Sequence, residues 1–279
     1  MRGILLRTPS PLPGFGPAFA LMTTALALVV LGPLAALLAR GLEAGPAAFW
    51  AEVTAPRTLA ALGLSFRAAL IASAINLPLG LALAWALSRY RFPGRRLLDA
   101  AVDLPFALPT AVAGVALCAL YAPNGVFGAA LAPLGAQVAY AEAGVWVALV
   151  FVGLPFVTRT VQPVIAELSR EEEEASATLG ASRARTLARV VAPALTPALS
   201  TGFALALARS AGEYGSVIFI AGNAPYRTEI APLLIVIRLE EFDYDAAAAI
   251  GVAMLAASFA MLLAINVLQV WSRRRIGDV

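Results

Sequence analysis

The sequence predicts an all-α fold: a polytopic membrane helix bundle of about six transmembrane helices. Hydrophobic residues make up 61% of the chain and charged residues 13%, where a soluble domain carries about 25% charge. The apolar residues gather into runs long enough to cross roughly 30 Å of hydrocarbon, which takes about 20 residues of helix. The basic residues concentrate on alternate sides of those runs. Several absences narrow the chemistry. The chain has no His, all 20 of its basic residues are Arg, and its 1 Cys, Cys118, lies in an apolar run. Without His the commonest general base and metal ligand is missing. One Cys makes neither an internal disulfide nor a cysteine metal site. Without Lys there is no Walker A loop and no Schiff base, so any nucleotide-driven work falls to a partner.

The first apolar run, 18–39, follows Arg2 and Arg7 and is long enough to span. A cleaved signal peptide is the alternative, but its apolar core is usually about 7–15 residues. Further spans are expected at 59–87, 98–121, 144–164, 198–221 and 246–270. Six spans put both termini on one side. With the N-terminus inside, fourteen arginines lie in inner segments, and only Arg40, Arg57, Arg227 and Arg238 lie in outer loops. The positive-inside rule therefore makes the termini cytoplasmic. The third span carries Asp103, Pro105, Pro109 and Gly114, the fourth Pro155 and Pro163, the fifth Gly202, Gly212 and Gly215. Such residues are tolerated where neighbouring helices re-satisfy the backbone, and small ones let helices approach. No internal repeat supports an inverted-repeat carrier. The outer loop 122–143 is short, with Asn124 and Gly125 in a turn. The last outer loop, 222–245, is mixed in sign. It reads as a solvated loop or a docking surface for an external protein.

The longest polar interruption is 169–193, with Glu171, Glu172, Glu173 and Glu174 in succession. Ser169 and Glu172 read as a capping box that starts a helix. Gly180 suits the left-handed residue that ends it. A second short helix is expected from Arg183 to Ala192, stopped by Pro193. Two polar helices meeting at a glycine corner on the cytoplasmic side form a candidate docking surface. The glutamates before Glu174 read as capping and solvation.

In the fifth span Arg209 and Glu213 are four apart and share a helix face. Ionised groups inside a bilayer face the bundle interior or a water-filled path. Arg209, Ser210, Gly212, Glu213, Gly215 and Ser216 are therefore candidates for a translocation pathway or subunit seam. A structural ion pair locking two helices is the alternative. Arg67 and Asp103 read as lone structural or interfacial charges.

Glu174-Ala175-Ser176, then Gly180, Val190 and Pro193, resemble the EAA signature of permease subunits of ABC importers. Ser176, Val190 and Ala192 replace Ala, Ile and Leu of that pattern. From about Leu64 onward, segments such as RFPGRRLLDAAVDLPFALPTAVAG, GEYGSVIFIAGN and LQVWSRRR resemble the sulfate/thiosulfate importer permeases of CysT type. The resemblance implies the type I importer permease (MetI-like) fold. It divides the chain into an N-terminal segment 1–57 with the first span and outer loop, a permease core 58–271 with a coupling loop at 166–197, and a cytoplasmic tail 272–279. It implies a bacterial inner-membrane subunit that is not an enzyme and has no cofactor of its own. ATP and Mg would sit on a partner ATPase. The other implied partners are a second homologous permease, a periplasmic sulfate/thiosulfate-binding protein and membrane lipid, with no nucleic acid. A molybdate or tungstate importer permease is the neighbouring alternative. An ion-driven secondary transporter is the alternative from another class.

Overall fold

The computed structural model describes residues 15–276, so the segment 1–14 with Arg2 and Arg7 lies outside the described residues. Apart from the short 3-10 turn Ala132–Leu134, thirteen helices order the described residues: α1 (Phe15–Glu43), α2 (Pro46–Val53), α3 (Pro56–Arg89), α4 (Arg95–Val102), α5 (Leu104–Ala107), α6 (Thr110–Tyr121) and α7 (Val126–Leu131). After them come α8 (Glu142–Glu167), α9 (Arg170–Thr178), α10 (Arg183–Ala211), α11 (Val217–Ile220), α12 (Ala231–Glu240) and α13 (Tyr244–Ile276). The described residues contain no strand. Among the described residues, six stretches are long and apolar enough to cross a membrane: α1, α3, α6 with α7, α8, α10 and most of α13.

Three of these make the centre. α8 packs along α3 and α10, and those two touch each other. In α8, 56% of the apolar window is buried, against 0% in α1, so α8 is the hub and this chain leaves the apolar window of α1 uncovered. Small residues set the close approaches. A Cβ on Gly80 would come within 2.7 Å of Val157, and one on Gly202 within 3.0 Å of the Val157 backbone. Outside the hub, the second half of α1 and α2 lean on α13, with Gly41 against Ala248 and Val252. α12 bridges α3 and α13.

The span boundaries differ from the sequence expectation where proline intervenes. The third span was expected at 98–121. Instead 95–102 is a separate amphipathic helix, Pro105 and Pro109 break the chain after it, and the crossing runs Thr110–Leu134. Proline opens these breaks by removing a donor and excluding the residue before it from helical geometry. Much of the expected outer loop 122–143 is thus helical, although Asn124 does sit in a turn. The fifth span was expected at 198–221 but is α10, and Gly212 to Ser216 are non-helical.

Pro193 does not stop the helix begun at Arg183. A π-helical stretch, Leu187–Val191, immediately precedes it and the helix continues to Ala211. A π turn rearranges the hydrogen-bond ladder where proline removes a donor. The same device, Ala27–Leu31, precedes Pro33 in α1.

Candidate functional site

The polar corner between α9 and α10 is built by its caps. Ser169 caps α9, its Oγ accepting from Glu171 N at 3.1 Å. This is one residue earlier than the capping-box partner, Glu172, would require. Glu171, Glu172 and Glu173 occupy the first turn, where the helix dipole favours negative charge. At the other end Gly180 has φ +80°. Gly180 N donates to Ala177 O at 3.0 Å and Ala181 N to Ser176 O at 3.1 Å, the two bonds of a Schellman closure. Ser182 caps the next helix through Arg185 N. The hydroxyls of Ser176 and Thr186 then bond across the corner at 2.9 Å. Ser176 therefore joins the two arms, which alanine could not do.

Between the arms lies a hollow of about 700 Å³ lined by Glu172, Ala175, Ser176, Leu179, Ala181, Arg185, Arg189 and Val190. Of the residues expected at this site, Ala175, Ser176 and Val190 line the hollow, and Gly180 makes the bend. Glu174 is exposed on α9, and Pro193 lies in α10 about one turn beyond Val190. Leu179 stands at the tip with 89% of its surface exposed; the sequence pattern did not single it out. Glu173 is more than solvation. It pairs with Arg89 at the end of α3 at 2.8 Å, and Arg89 also donates to Leu168 O. The corner is thereby tied to the bundle.

At the far end of α10 the second candidate cluster is assembled. Arg209 Nη1 meets Glu213 Oε2 at 2.6 Å. Glu213 Oε1 accepts from Ser216 N at 2.9 Å and Ser216 Oγ at 2.8 Å. Both carboxylate oxygens are used, and Glu213 and Ser216 are buried. The helix has ended, so Glu213 holds a loop rather than a helix face. Gly215 lets that loop lie against Thr110, and Gly114 lets it pass Ser216. Sequence reasoning missed a neighbouring node. Asn76 of α3 and Ser210 of α10 both lie against Gly153 of α8. Asn76 is fully buried. A lone amide within 34 apolar-patterned residues was the available signal.

Arg67 and Asp103 are not lone charges. Arg67 pairs with Glu142 at 2.7 Å. Arg159 of α8 grips Asp103 through Nε at 2.8 Å and Nη2 at 2.7 Å, and also bonds Asp99 and Gln162. The Arg159 hydrogen bond holds the Asp99 carboxyl below the ordinary carboxylate range. The loop 222–245 is likewise more than a solvated segment. It contains α12, and Glu229, 1% exposed at its side chain, is held bidentately by Arg57 at 2.7 and 2.8 Å. A buried carboxylate requires such a partner. Glu240, Glu241, Asp243 and Asp245 remain exposed.

Six apolar crossings around a hub of continuous helices that carry internal prolines, with one structured polar corner projecting from the ends of two of them, make a polytopic membrane protein. The chain belongs to the family described as binding-protein-dependent transport system inner membrane component, whose model matches residues 76–278. It is similar to the sulfate transport system permease protein CysT of Salmonella typhimurium, 49% identical over 95% of this chain and 96% of the relative. The CysT protein of Escherichia coli is 48% identical over the same shares, and that of Synechocystis 47% over 91% and 88%. These relatives are named as transport permeases, not as enzymes. Among solved structures, the chain resembles a bacterial alginate ABC transporter bound to its alginate-loaded periplasmic protein, with TM-score 0.75 at 18% identity over 93% and 94%. The MetNI methionine transporter matches with TM-score 0.56 at 18% identity over 83% and 99%. These two likenesses establish the MetI-like importer fold. The protein is an inner-membrane ABC importer permease.

Proposed function

We propose that this chain is the permease subunit of an ATP-driven importer for sulfate and thiosulfate, with both termini cytoplasmic. The observation that carries the substrate is the near-half identity, along 95% of the chain, to permeases named for sulfate transport. A partner ATPase holds ATP and Mg; a second homologous permease completes the pathway; a periplasmic sulfate/thiosulfate-binding protein delivers the anion. The coupling loop is the corner of Glu174, Ala175, Ser176, Gly180, Val190 and Pro193. Leu179 gives it an apolar tip. Burying one such side chain in a partner groove contributes roughly 1.5–3 kcal/mol. Closure of the ATPase displaces the corner and tilts the spans from inward- to outward-facing. Coupling requires that the two states differ in their contacts, and the Glu173–Arg89 tie is one contact able to differ.

Arg209, Ser210, Gly212, Glu213, Gly215 and Ser216 act in this reading as a seam beside the pathway. The Glu213 carboxylate neutralises Arg209 and leaves little charge for the anion.

Labelled-sulfate uptake into cells carrying the complete importer tests the substrate. Unlabelled thiosulfate is expected to compete and molybdate is not. Competition by molybdate without thiosulfate would assign the chain to a molybdate or tungstate importer. Uptake that persists without any ATPase subunit would make it an ion-driven carrier. Co-purification followed by mass identification establishes whether the second permease is a homologue or another copy.

A further inference from the structure

Between α3 and α4 the chain turns through Tyr90 to Gly94, and Gly94 takes φ +82°. The turn leaves a hollow of about 560 Å³ lined by Arg91, Phe92, Gly94, Arg95, Arg96 and Asp99. Its one carboxylate, Asp99, is already bound by Arg159. Among the described residues, no salt bridge or side-chain hydrogen bond engages the guanidinium of Arg91, Arg95 or Arg96. Three unpaired cations thus surround a cavity whose single counter-charge is spent. The other arginines with hydrogen-bonded heads, Arg40, Arg57, Arg67, Arg89, Arg159, Arg209 and Arg238, each have a carboxylate partner.

The surface beside those cations is apolar. Leu97 is 76% exposed, and Ala100, Ala101 and Leu104 continue the same stripe at helical spacing. Phe106 is also exposed. Val102 is buried on the opposite side, and the Arg159 clamp holds Asp99 and Asp103 to α8. An acidic soluble protein would match the arginines but leave Leu97 and Leu104 wet. A ligand with an anionic head and aliphatic tails matches both halves. Arginine also suits phosphate, since its planar fork donates two parallel bonds.

We infer that the hollow at Arg91, Arg95 and Arg96 binds the phosphate headgroup of an anionic glycerophospholipid, with its acyl chains along Leu97 and Leu104. Only the inner placement of this turn is taken from the proposed topology; the identity of the transported anion plays no part. Basic pockets beside transmembrane helices on the inner side are suited to such headgroups. The bound lipid would brace α4 against α8 next to the Arg89–Glu173 tie.

The test uses the full chain in its importer complex, purified in a zwitterionic detergent. Phosphatidylglycerol, phosphatidylcholine and inorganic phosphate are added separately. Bound lipid is counted by native mass spectrometry and thermal unfolding is followed in parallel. Phosphatidylglycerol is expected to be retained and to raise the unfolding temperature, with phosphatidylcholine and phosphate inert. The variant Arg91→Gln/Arg95→Gln/Arg96→Gln should retain it about a hundredfold less well, some fivefold per arginine. Leu97→Gln should weaken retention without removing the charge. Arg227→Gln, on an exposed outer residue, should change nothing. If the triple variant does not insert, single Arg96→Gln replaces it and should lose about fivefold. Equal retention of phosphatidylglycerol by wild type and variant overturns the site. So does an equal response to inorganic phosphate, or loss of a partner subunit with lipid retention unchanged. Sulfate uptake is not the readout, so failure here is distinct from failure of the substrate assignment.

Discussion

At the scale of single residues, Gly180 and Ser176 determine the shape of the corner. An added Cβ at Gly180 would meet nothing within 4 Å, so a substitution is opposed by backbone conformation rather than by collision. The left-handed geometry costs an ordinary residue about 1–2 kcal/mol. Gly180→Ala should therefore impair uptake at normal membrane abundance, and Gly180→Asn should impair it less, because asparagine visits that region. Uptake assays with immunoblotting of membranes distinguish the two. Gly153 presents the opposite case. A Cβ there would lie 2.5 Å from Asn76 Nδ2, and overpacking of this kind costs about 1–3 kcal/mol. Gly153→Ala should lower the thermal stability of the purified complex. The glycine of the corner was legible because a left-handed C-cap follows a recognisable helix. Gly153 was not, since its reason is a side chain 77 positions away in the chain, at Asn76, which only the packing reveals.

At the scale of elements, the Arg159 clamp joins the amphipathic α4 to the hub helix α8. Replacing Arg159 by Met leaves two carboxylates without their partner. Hydrogen bonds to charged groups are each worth about 1.5–3 kcal/mol, halved or less here because Asp99 and Asp103 are about half exposed. Arg159→Lys should restore only part, since an ammonium cannot reproduce the bidentate fork. The clamp also carries a pH signature. Asp99 titrates below its ordinary value when folded, so its stabilisation is present above the ordinary carboxylate range and is lost as pH falls through the lowered one. Thermal unfolding should be insensitive to Asp99→Asn protonation mimicry in strong acid and sensitive to it at neutral pH. Hydropathy located the crossings to within a few residues at α3 and α8. It failed at the third and fifth, where prolines divide or π turns extend helices without changing the mean apolarity.

At the scale of the whole molecule, the ion pairs fall at two levels. Arg40, Arg57, Arg67 and Arg238 meet Asp245, Glu229, Glu142 and Glu52 near the ends of spans opposite those that carry Arg89–Glu173 and Arg159–Asp103. The proposed topology makes the first level periplasmic and the second cytoplasmic. A Cys118→Ala background with a single cysteine at Leu179 or Tyr226, both exposed, tests this. An impermeant thiol reagent added outside should label Tyr226→Cys and spare Leu179→Cys; the reverse pattern would invert the molecule. The proposed direction of the chain rests on the arginine count. That count could not show which arginines are consumed by partners, because those partners come from distant parts of the sequence.

The unbroken passage of α10 through Pro193 has a mechanical meaning. Its 29 residues make a strut of about 43 Å at 1.5 Å per residue. One end is bolted to α9 by the Ser176–Thr186 hydroxyl pair, and the other ends at Gly212, where Glu213 fastens the following loop. The corner and the seam are therefore opposite ends of one rigid rod. A push at Leu179 is passed along this helix toward Gly212, and the π turn at Leu187–Val191 with Pro193 and Pro197 beyond it marks where stroke is taken up.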